Sequence, residues 1–321
     1  MIRAALAMSR AAADAVLDGE TLAELRALVD LAEGVIDDFA GAPLRDVELL
    51  VTGWGCPPLD AAALAAAPNL RAIVHTAGSV RAHVTEACWD RGIEVTSAAA
   101  ANAVPVAEYT LAMILLSGKR VLERARGYRE SHVRDNWPRD VGNYRRTVGI
   151  LSASMIGRRV IELLRPHDLH ILVHDPYVDD IAGAERVTLA ELFARSDVVS
   201  VHTPLLPETR GLVGRELIGS MRPDAVLINT ARGAVLDQDA LAEATGAGRI
   251  RAILDVTEPE VLPPGHPLWT DENVLITPHL AGSQGNELGR LAALAVAEVA
   301  RWASGEGFAH PLRRDRMGLI A

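Results

Sequence analysis

Short apolar runs that alternate with helix-length stretches constrain this chain more than any other feature. Leu49–Thr52 and Arg71–His75 read as strands, and Leu59–Ala67 and Val84–Arg91 as helices. Thr147–Leu151, Leu169–His174, Val198–Val201, Ala225–Asn229, Ala252–Val256 and Val274–Thr277 read as further strands with helical segments among them. Strands joined through helices run parallel, with helices on both faces of the sheet. A chain of 321 residues is long enough for two such domains. The expected fold class is therefore α/β, with two doubly wound parallel sheets.

One unit carries specific chemistry. Thr147–Leu151 leads into the turn Ser152–Gly157, then the helix Arg158–Leu164, stopped by Pro166, and then Leu169–His174, closed by Asp175-Pro176. In this setting a G-x-G-x-x-G turn binds a dinucleotide pyrophosphate at the helix N-terminus. Glycines would stand at 152, 154 and 157, but the residues are Ser152, Ser154 and Gly157. Gly157 permits close helix–strand packing. Ser152 must make the tight turn, and the Ser154 side chain intrudes where backbone approaches phosphate. In one reading the Ser154 hydroxyl binds phosphate together with the helix start at Met155 and Ile156. In the other, cofactor binding is weakened. Asp175, 18 residues beyond Gly157, is placed to accept from the adenosine ribose and to repel a 2′-phosphate, which favours NAD over NADP.

Three runs supply the reactive groups: Asn229-Thr230-Ala231-Arg232-Gly233, Asp255-Val256-Thr257-Glu258-Pro259-Glu260 and Thr277-Pro278-His279-Leu280-Ala281-Gly282. Arg232 is a fixed cation whose fork binds a carboxylate and polarises the neighbouring carbonyl. His279 can donate a proton to the carbonyl oxygen, and Glu260 keeps that ring oriented and charged. Together they are the minimal kit for reducing a 2-oxo acid.

With the stretch Val201–Leu241, VHTPLLPETRGLVGRELIGSMRPDAVLINTARGAVLDQDAL, these runs closely resemble the D-isomer-specific 2-hydroxyacid dehydrogenases. The resemblance is most specific over Asp175–Gly282 and looser in the first hundred residues. It implies a flavodoxin-like substrate domain over 1–102 and 283–321 and a Rossmann coenzyme domain over 103–282. By resemblance Arg232 holds the substrate carboxylate, Glu260 pairs with the imidazole, His279 is the acid/base and Asp255 faces the nicotinamide. His202 lies at a strand end near the cofactor, and Thr203-Pro204 meet the nicotinamide ribose. Thr209, Thr230, Ala231 and Gly282 complete the expected NAD site. The substrate loop corresponds to Thr76, Ala77 and Gly78, with Trp54 as a pocket wall or a packing residue. The resemblance also places Val106–Arg126, apolar over most of its circumference, at a homodimer interface; an intradomain core helix is the alternative. It leaves two rivals open: oxidation of another substrate, such as phosphite, and an NAD-sensing regulatory protein like the family's corepressors. Formate is disfavoured, because the family's formate dehydrogenases carry Gln where this chain has Glu260.

Composition narrows the remaining classes. The net charge of −10 argues against a nucleic-acid partner and leaves small anionic substrates open. No 18-residue apolar run is expected to span a membrane, and the N-terminal stretch reads as a first strand, not a signal peptide. Cys56 and Cys88 form no CxxC pair and fit packing roles in a reducing cytoplasm. The single lysine, Lys119, lies in neither a phosphate loop nor a Schiff-base setting. No metal site is expected: His167, His170 and His174 straddle a helix end and a strand and share no face. Trp137–Arg146 holds Pro, Gly, Asn and charges and reads as an irregular loop.

Overall fold

The computed structural model describes residues 1–134 and 141–315, and the chain divides into two compact units. Residues 137–140 of the expected irregular loop and the last residues of the chain lie outside the described residues.

The first unit begins with β1 (Arg3–Ala7), α1 (Arg10–Val16), α2 (Gly19–Leu28), β2 (Asp30–Ile36), β3 (Leu49–Thr52) and α3 (Ala61–Ala66). β4 (Ala72–His75), α4 (Glu86–Asp90) and β5 (Glu94–Ser97) follow. α5 (Ala99–Gly118) carries the chain into the second unit, which continues with α6 (Val121–Ser131), β6 (Thr147–Leu151), α7 (Met155–Leu164), β7 (His170–His174) and β8 (Glu185–Arg186). Then come α8 (Leu189–Arg195), β9 (Val198–Val201), α9 (Arg215–Ser220), β10 (Val226–Asn229), α10 (Gln238–Gly246), β11 (Arg251–Leu254) and β12 (Val274–Ile276). The chain returns to the first unit with α11 (Leu288–Ala303) and β13 (Pro311–Leu312).

The first sheet has the order β13-β5-β4-β3-β1-β2, parallel except for β13. The second has the order β12-β11-β10-β9-β6-β7-β8, with every pairing parallel. Alternation of side chains explains why both sheets are covered on two faces. Val148 and Ile150 of β6 enter one core with Val160 and Ile161 of α7, whereas Leu151 joins the opposite core with Leu192 and Phe193 of α8. In the first unit Ala4 and Leu6 face α11 through Leu291, Ala295 and Val299, while Ala5 and Ala7 face α3 and α4.

The expected helix Val106–Arg126 is corrected in two respects. It begins at Ala99, with Pro105 inside it, and it breaks after Gly118, where Arg120 turns left-handed at φ 50° before α6. Pro105 removes one backbone bond but is itself buried, so packing offsets the loss. The expectation of no membrane-length apolar stretch is also corrected. α5 has 20 residues and a mean hydropathy of 1.5, which is long and apolar enough to cross a bilayer by length and composition. Only 39% of its 18-residue window is buried within this chain.

Candidate active site

Parallel α/β sheets bind ligands outside the carboxyl ends of their strands, where the strand order reverses. In the second unit that point lies between β6 and β9. The turn after β6 is made as the Ser-x-Ser-x-x-Gly pattern demands, at a cost. Ser152 adopts φ 78°, a left-handed conformation that glycine takes freely. Gly157 has no alternative, because a Cβ there would lie 2.1 Å from the Ser152 carbonyl oxygen.

The two serine hydroxyls are engaged within the protein. Ser154 caps α7, its Oγ accepting from the Gly157 amide at 3.3 Å and donating to the His202 carbonyl at 2.9 Å. It therefore stitches the loop after β6 to the loop after β9. The single Ser154 hydroxyl proton is thus directed at the His202 carbonyl. The Met155 and Ile156 amides, at the start of the same helix, have no acceptor among the described residues. Asp175 is buried, and its Oδ2 accepts from Ser152 Oγ at 3.2 Å and from the Ala153 amide at 2.8 Å. Its Oδ1 accepts from the Tyr177 amide at 2.8 Å. The carboxylate expected to serve a ribose thus already holds the turn, and its remaining acceptor capacity lies on Oδ1.

Other expected cofactor residues are likewise engaged locally. Thr230 lies 3.2 Å from Thr110 Oγ1, which itself donates to the Val106 carbonyl, so the Thr230 proton is the one that joins the pair. Thr209 Oγ1 donates to the Pro204 carbonyl at 2.6 Å and accepts from the Leu206 amide at 2.7 Å, folding Pro204–Thr209 on itself. Thr203 is buried with its hydroxyl 3.5 Å from the Leu151 carbonyl. His202 is buried, with Nε2 2.9 Å from Ser200 Oγ and Nδ1 without a partner among the described residues. Burial pushes its pKa down to about 3, so the ring is neutral.

The reactive groups follow three adjacent strands, β10, β11 and β12. After β10, Asn229 folds back on the loop: its Oδ1 accepts from the Ala231 amide at 3.0 Å, and its Nδ2 donates to the Arg232 carbonyl at 2.9 Å. Gly233 follows because a Cβ there would lie 2.1 Å from the Thr257 carbonyl carbon, so only glycine lets the Arg232 loop lie against the loop after β11. There Thr257 Oγ1 donates to the carbonyls of Pro259 and Glu260 at 2.8 and 2.9 Å. His279 Nδ1 and Glu260 Oε1 are 2.6 Å apart, with both side chains half exposed. An ion pair this exposed adds ~0–1 kcal/mol of stability. Its consequence is orientation of the ring.

Asp255, expected to face the nicotinamide, is buried and closes the His279 loop. Its Oδ1 accepts from Thr277 Oγ1 at 2.6 Å and from the Leu280 amide at 2.9 Å, and its Oδ2 from the Ala281 amide at 2.9 Å. Tyr109 of α5 lies 2.9 Å from Thr277 Oγ1 and completes the relay. His279 itself sits at φ 52°, left-handed, with its amide bonded to the carbonyls of Asp255 and Thr277. Asn229, Gly233, Thr277 and Tyr109 were not singled out in the sequence. Asn229, Gly233 and Thr277 border the named residues, but Tyr109 lies 168 residues from its partner.

In the first unit the expected substrate residues follow β3 and β4. Thr76 is buried, its hydroxyl donating to the Thr52 carbonyl at 3.0 Å. The amides of Ala77, Gly78 and Ser79 have no acceptor among the described residues. Trp54 is 46% exposed. It is presented between Gly53, whose Cβ would meet Met8 at 2.9 Å, and Gly55, left-handed at φ 79° against Ser9.

The Gly157 cradle, the open amides of Met155 and Ile156, and the carboxylate at the next strand end fit a dinucleotide. Comparison with known proteins agrees. Residues 111–281 match the NAD binding domain of the D-isomer specific 2-hydroxyacid dehydrogenases. A glyoxylate reductase from Korarchaeum cryptofilum is 35% identical over 78% of this chain and 78% of its own length. A D-3-phosphoglycerate dehydrogenase from Methanocaldococcus jannaschii is 31% identical over 84% of this chain and 52% of its own, so the chain spans about half the length of that relative. The crystal structure of the TT0316 protein from Thermus thermophilus superposes with a TM-score of 0.79, at 30% identity, over 97% of this chain and 100% of the other. The chain belongs to the D-isomer-specific 2-hydroxyacid dehydrogenase family.

Proposed function

We propose that this protein transfers a hydride between NAD(H) and C2 of a D-2-hydroxy acid or 2-oxo acid. The observation that carries the reading is the 2.6 Å contact of His279 with Glu260, two strands' ends away from an arginine loop fixed by Asn229 and Gly233. NAD(H), bound over the α7 N-terminus, supplies or accepts the hydride. Arg232 binds the carboxylate and polarises the adjacent carbonyl. His279 gives its Nε2 proton to the carbonyl oxygen in reduction and takes it back in oxidation, while Glu260 fixes Nδ1. The amides of Ala77 and Gly78 are a second carboxylate-binding element. The second unit, Ala103–Gly282, is the coenzyme domain, and the first the substrate domain. The Asp175 charge favours NAD over NADP.

The half-covered α5 supports a homodimer, with the second copy covering this helix. The buried cysteines, with the Cys56 thiol pushed up to about 12 by burial, suit a reducing cytoplasm. The acidic charge suits neither nucleic acid nor an anionic membrane. A regulatory, cofactor-sensing reading draws on the internally bonded Ser-x-Ser turn. The test that separates the two is NADH oxidation against 2-oxo acids from glyoxylate to branched and aryl compounds, with chiral analysis of the product. Turnover to the D-hydroxy acid supports the enzyme. NADH binding without turnover on any oxo acid supports the regulator.

A further inference from the structure

The first unit holds a buried polar cluster that the reaction does not use. Thr52 ends β3, His75 ends β4, and His83 follows the loop that carries the open amides of Ala77, Gly78 and Ser79. Thr52 Oγ1 lies 3.0 Å from His75 Nδ1 and 3.1 Å from His83 Nε2. The ring centroids are 4.6 Å apart, and the three residues are 0, 2 and 2% exposed. We propose that Thr52, His75 and His83 are positioning residues that hold the loop after β4 in the shape that turns its amides toward a substrate carboxylate. This rests on the carboxylate-binding role given to that loop above.

The hydrogen count makes the cluster directional. A hydroxyl has one proton, so Thr52 donates to one ring and accepts from the other. Burial holds both rings neutral, His75 down to about 3 and His83 to about 4. The Ser79 backbone adds a contribution favouring a proton on the His75 ring, as a carbonyl facing its N–H does. That leaves His75 Nδ1 as the acceptor. The order is therefore His83 Nε2–H to Thr52 Oγ1, Thr52 O–H to His75 Nδ1, and His75 Nε2–H to the loop. Thr76 adds two further ties, its amide and hydroxyl both bonding the Thr52 carbonyl, at 2.8 and 3.0 Å. The loop is thus held at its root, at Ser79 and at His83, all through Thr52 or its immediate neighbour. None of the three side chains needs to touch substrate.

Thr52→Val keeps the shape and removes the hydroxyl, leaving two buried ring nitrogens without a partner; Thr52→Ser keeps the hydroxyl. The expected result for Thr52→Val is a KM for the 2-oxo acid raised about tenfold, with kcat and the NADH Kd within about twofold, and recovery in Thr52→Ser. Faster hydrogen exchange at the Ala77–Ser79 amides should accompany it. Ring nitrogen NMR of the unmodified protein should show both histidines neutral and protonated at Nε2. A doubly protonated ring at neutral pH, a proton on His75 Nδ1, or an unmoved KM and amide exchange in Thr52→Val overturns the proposal. Absence of oxo-acid turnover in the unmodified protein counts against the functional reading instead, and the ring-nitrogen and amide-exchange measurements still decide the positioning role.

Discussion

The loops after β10, β11 and β12 and the loops after β6 and β9 lie on one edge of one sheet, yet treat their polar side chains in opposite ways. His279 is 49% exposed and meets one carboxylate. His202 is 2% exposed, with one nitrogen on Ser200 and the other without a partner among the described residues. Glu260 is exposed, whereas Asp175 takes two hydrogen bonds from the turn after β6 and one from the Tyr177 amide. In the first region, neighbours such as Asn229, Thr257 and Asp255 bond the backbone, and the His279–Glu260 pair stays half exposed. In the second, the side chains themselves hold the loops, and the backbone amides of Met155 and Ile156 remain for a ligand. A reactive site needs the first arrangement, and a phosphate cradle needs the second.

The contrast breaks most severely at His279. His279→Ala should lower kcat/KM for oxo-acid reduction by ~10²–10⁴-fold, the usual share of a positioned acid/base, with NADH affinity unchanged. Arg232→Ala should reduce kcat/KM as strongly, by losing both binding and polarisation. Glu260→Gln keeps the contact but not the charge, and a drop of ~10–100-fold is expected, the usual cost of losing a supporting partner. Steady-state kinetics with fluorescence titration of NADH checks all three. An His279→Ala protein that retains most of its turnover would move the acid/base elsewhere.

Acid should expose the buried half of the comparison. His202, His75 and His83 have pKa values pushed by burial to about 3, 3 and 4. Each is a base whose folded value lies below its unfolded value of about 6.5, so the unfolded chain binds more protons between those limits. Stability is full above pH 6.5 and falls as pH drops toward 4, approaching ~1.4 kcal/mol per pH unit for each ring. Urea midpoints at pH 7.5, 6, 5 and 4.5 test this. His202→Gln should flatten the slope, and a flat profile in the unmodified protein would show that these rings are not held neutral.

A smaller effect is expected at Gly157. A Cβ 2.1 Å from the Ser152 carbonyl oxygen forces α7 off β6. Gly157→Ala should cost ~1–3 kcal/mol of stability, as overpacking does, and should weaken NADH. A variant with parental melting temperature and affinity would show that the turn has slack that the close contact hides.

Much of this was legible in the sequence, for identifiable reasons. Strands such as Leu49–Thr52, Thr147–Leu151 and Val198–Val201 fall where their apolar runs do, because buried parallel strands are continuous in apolar residues. The Glu260–His279 pairing came through the intact runs around both residues. Two kinds of feature were not legible. The helix expected over Val106–Arg126 starts earlier, with Pro105 inside it, and breaks at Gly118–Arg120, because propensity gives way to packing and a left-handed residue interrupts an otherwise helical run. The sequence also does not show how the hydroxyls of Ser154, Thr209 and Thr230 are engaged within the protein. No local pattern shows that Ser154 meets a carbonyl 48 residues away or that Thr230 meets Thr110.

The finest test of the comparison is the pair of serines, because the stability effects expected there are small and opposed. Ser154→Ala removes the α7 cap and the bond to the His202 carbonyl, and should cost ~0.5–2 kcal/mol of stability. It leaves the Met155 and Ile156 amides in place, so NADH affinity should fall only as far as the helix start loosens. Ser152→Gly relieves the left-handed strain at φ 78° but removes the hydroxyl that meets Asp175 at 3.2 Å. The strain relieved and the bond lost are each of the order of ~1 kcal/mol, so stability should hardly change. Asp175, however, loses one of its two Oδ2 donors and is freer to accept from a ribose. Ser152→Gly should therefore bind NADH as well as the parent or a few-fold more tightly, and Ser152→Ala, with the strain retained and the bond lost, should be the least stable of the three proteins. Parallel melting and NADH titration of the parent, Ser152→Gly and Ser152→Ala decide it. If Ser152→Gly binds NADH clearly more weakly, the Ser152 hydroxyl serves the cofactor directly, and the turn after β6 does not differ from the catalytic loops in the way described.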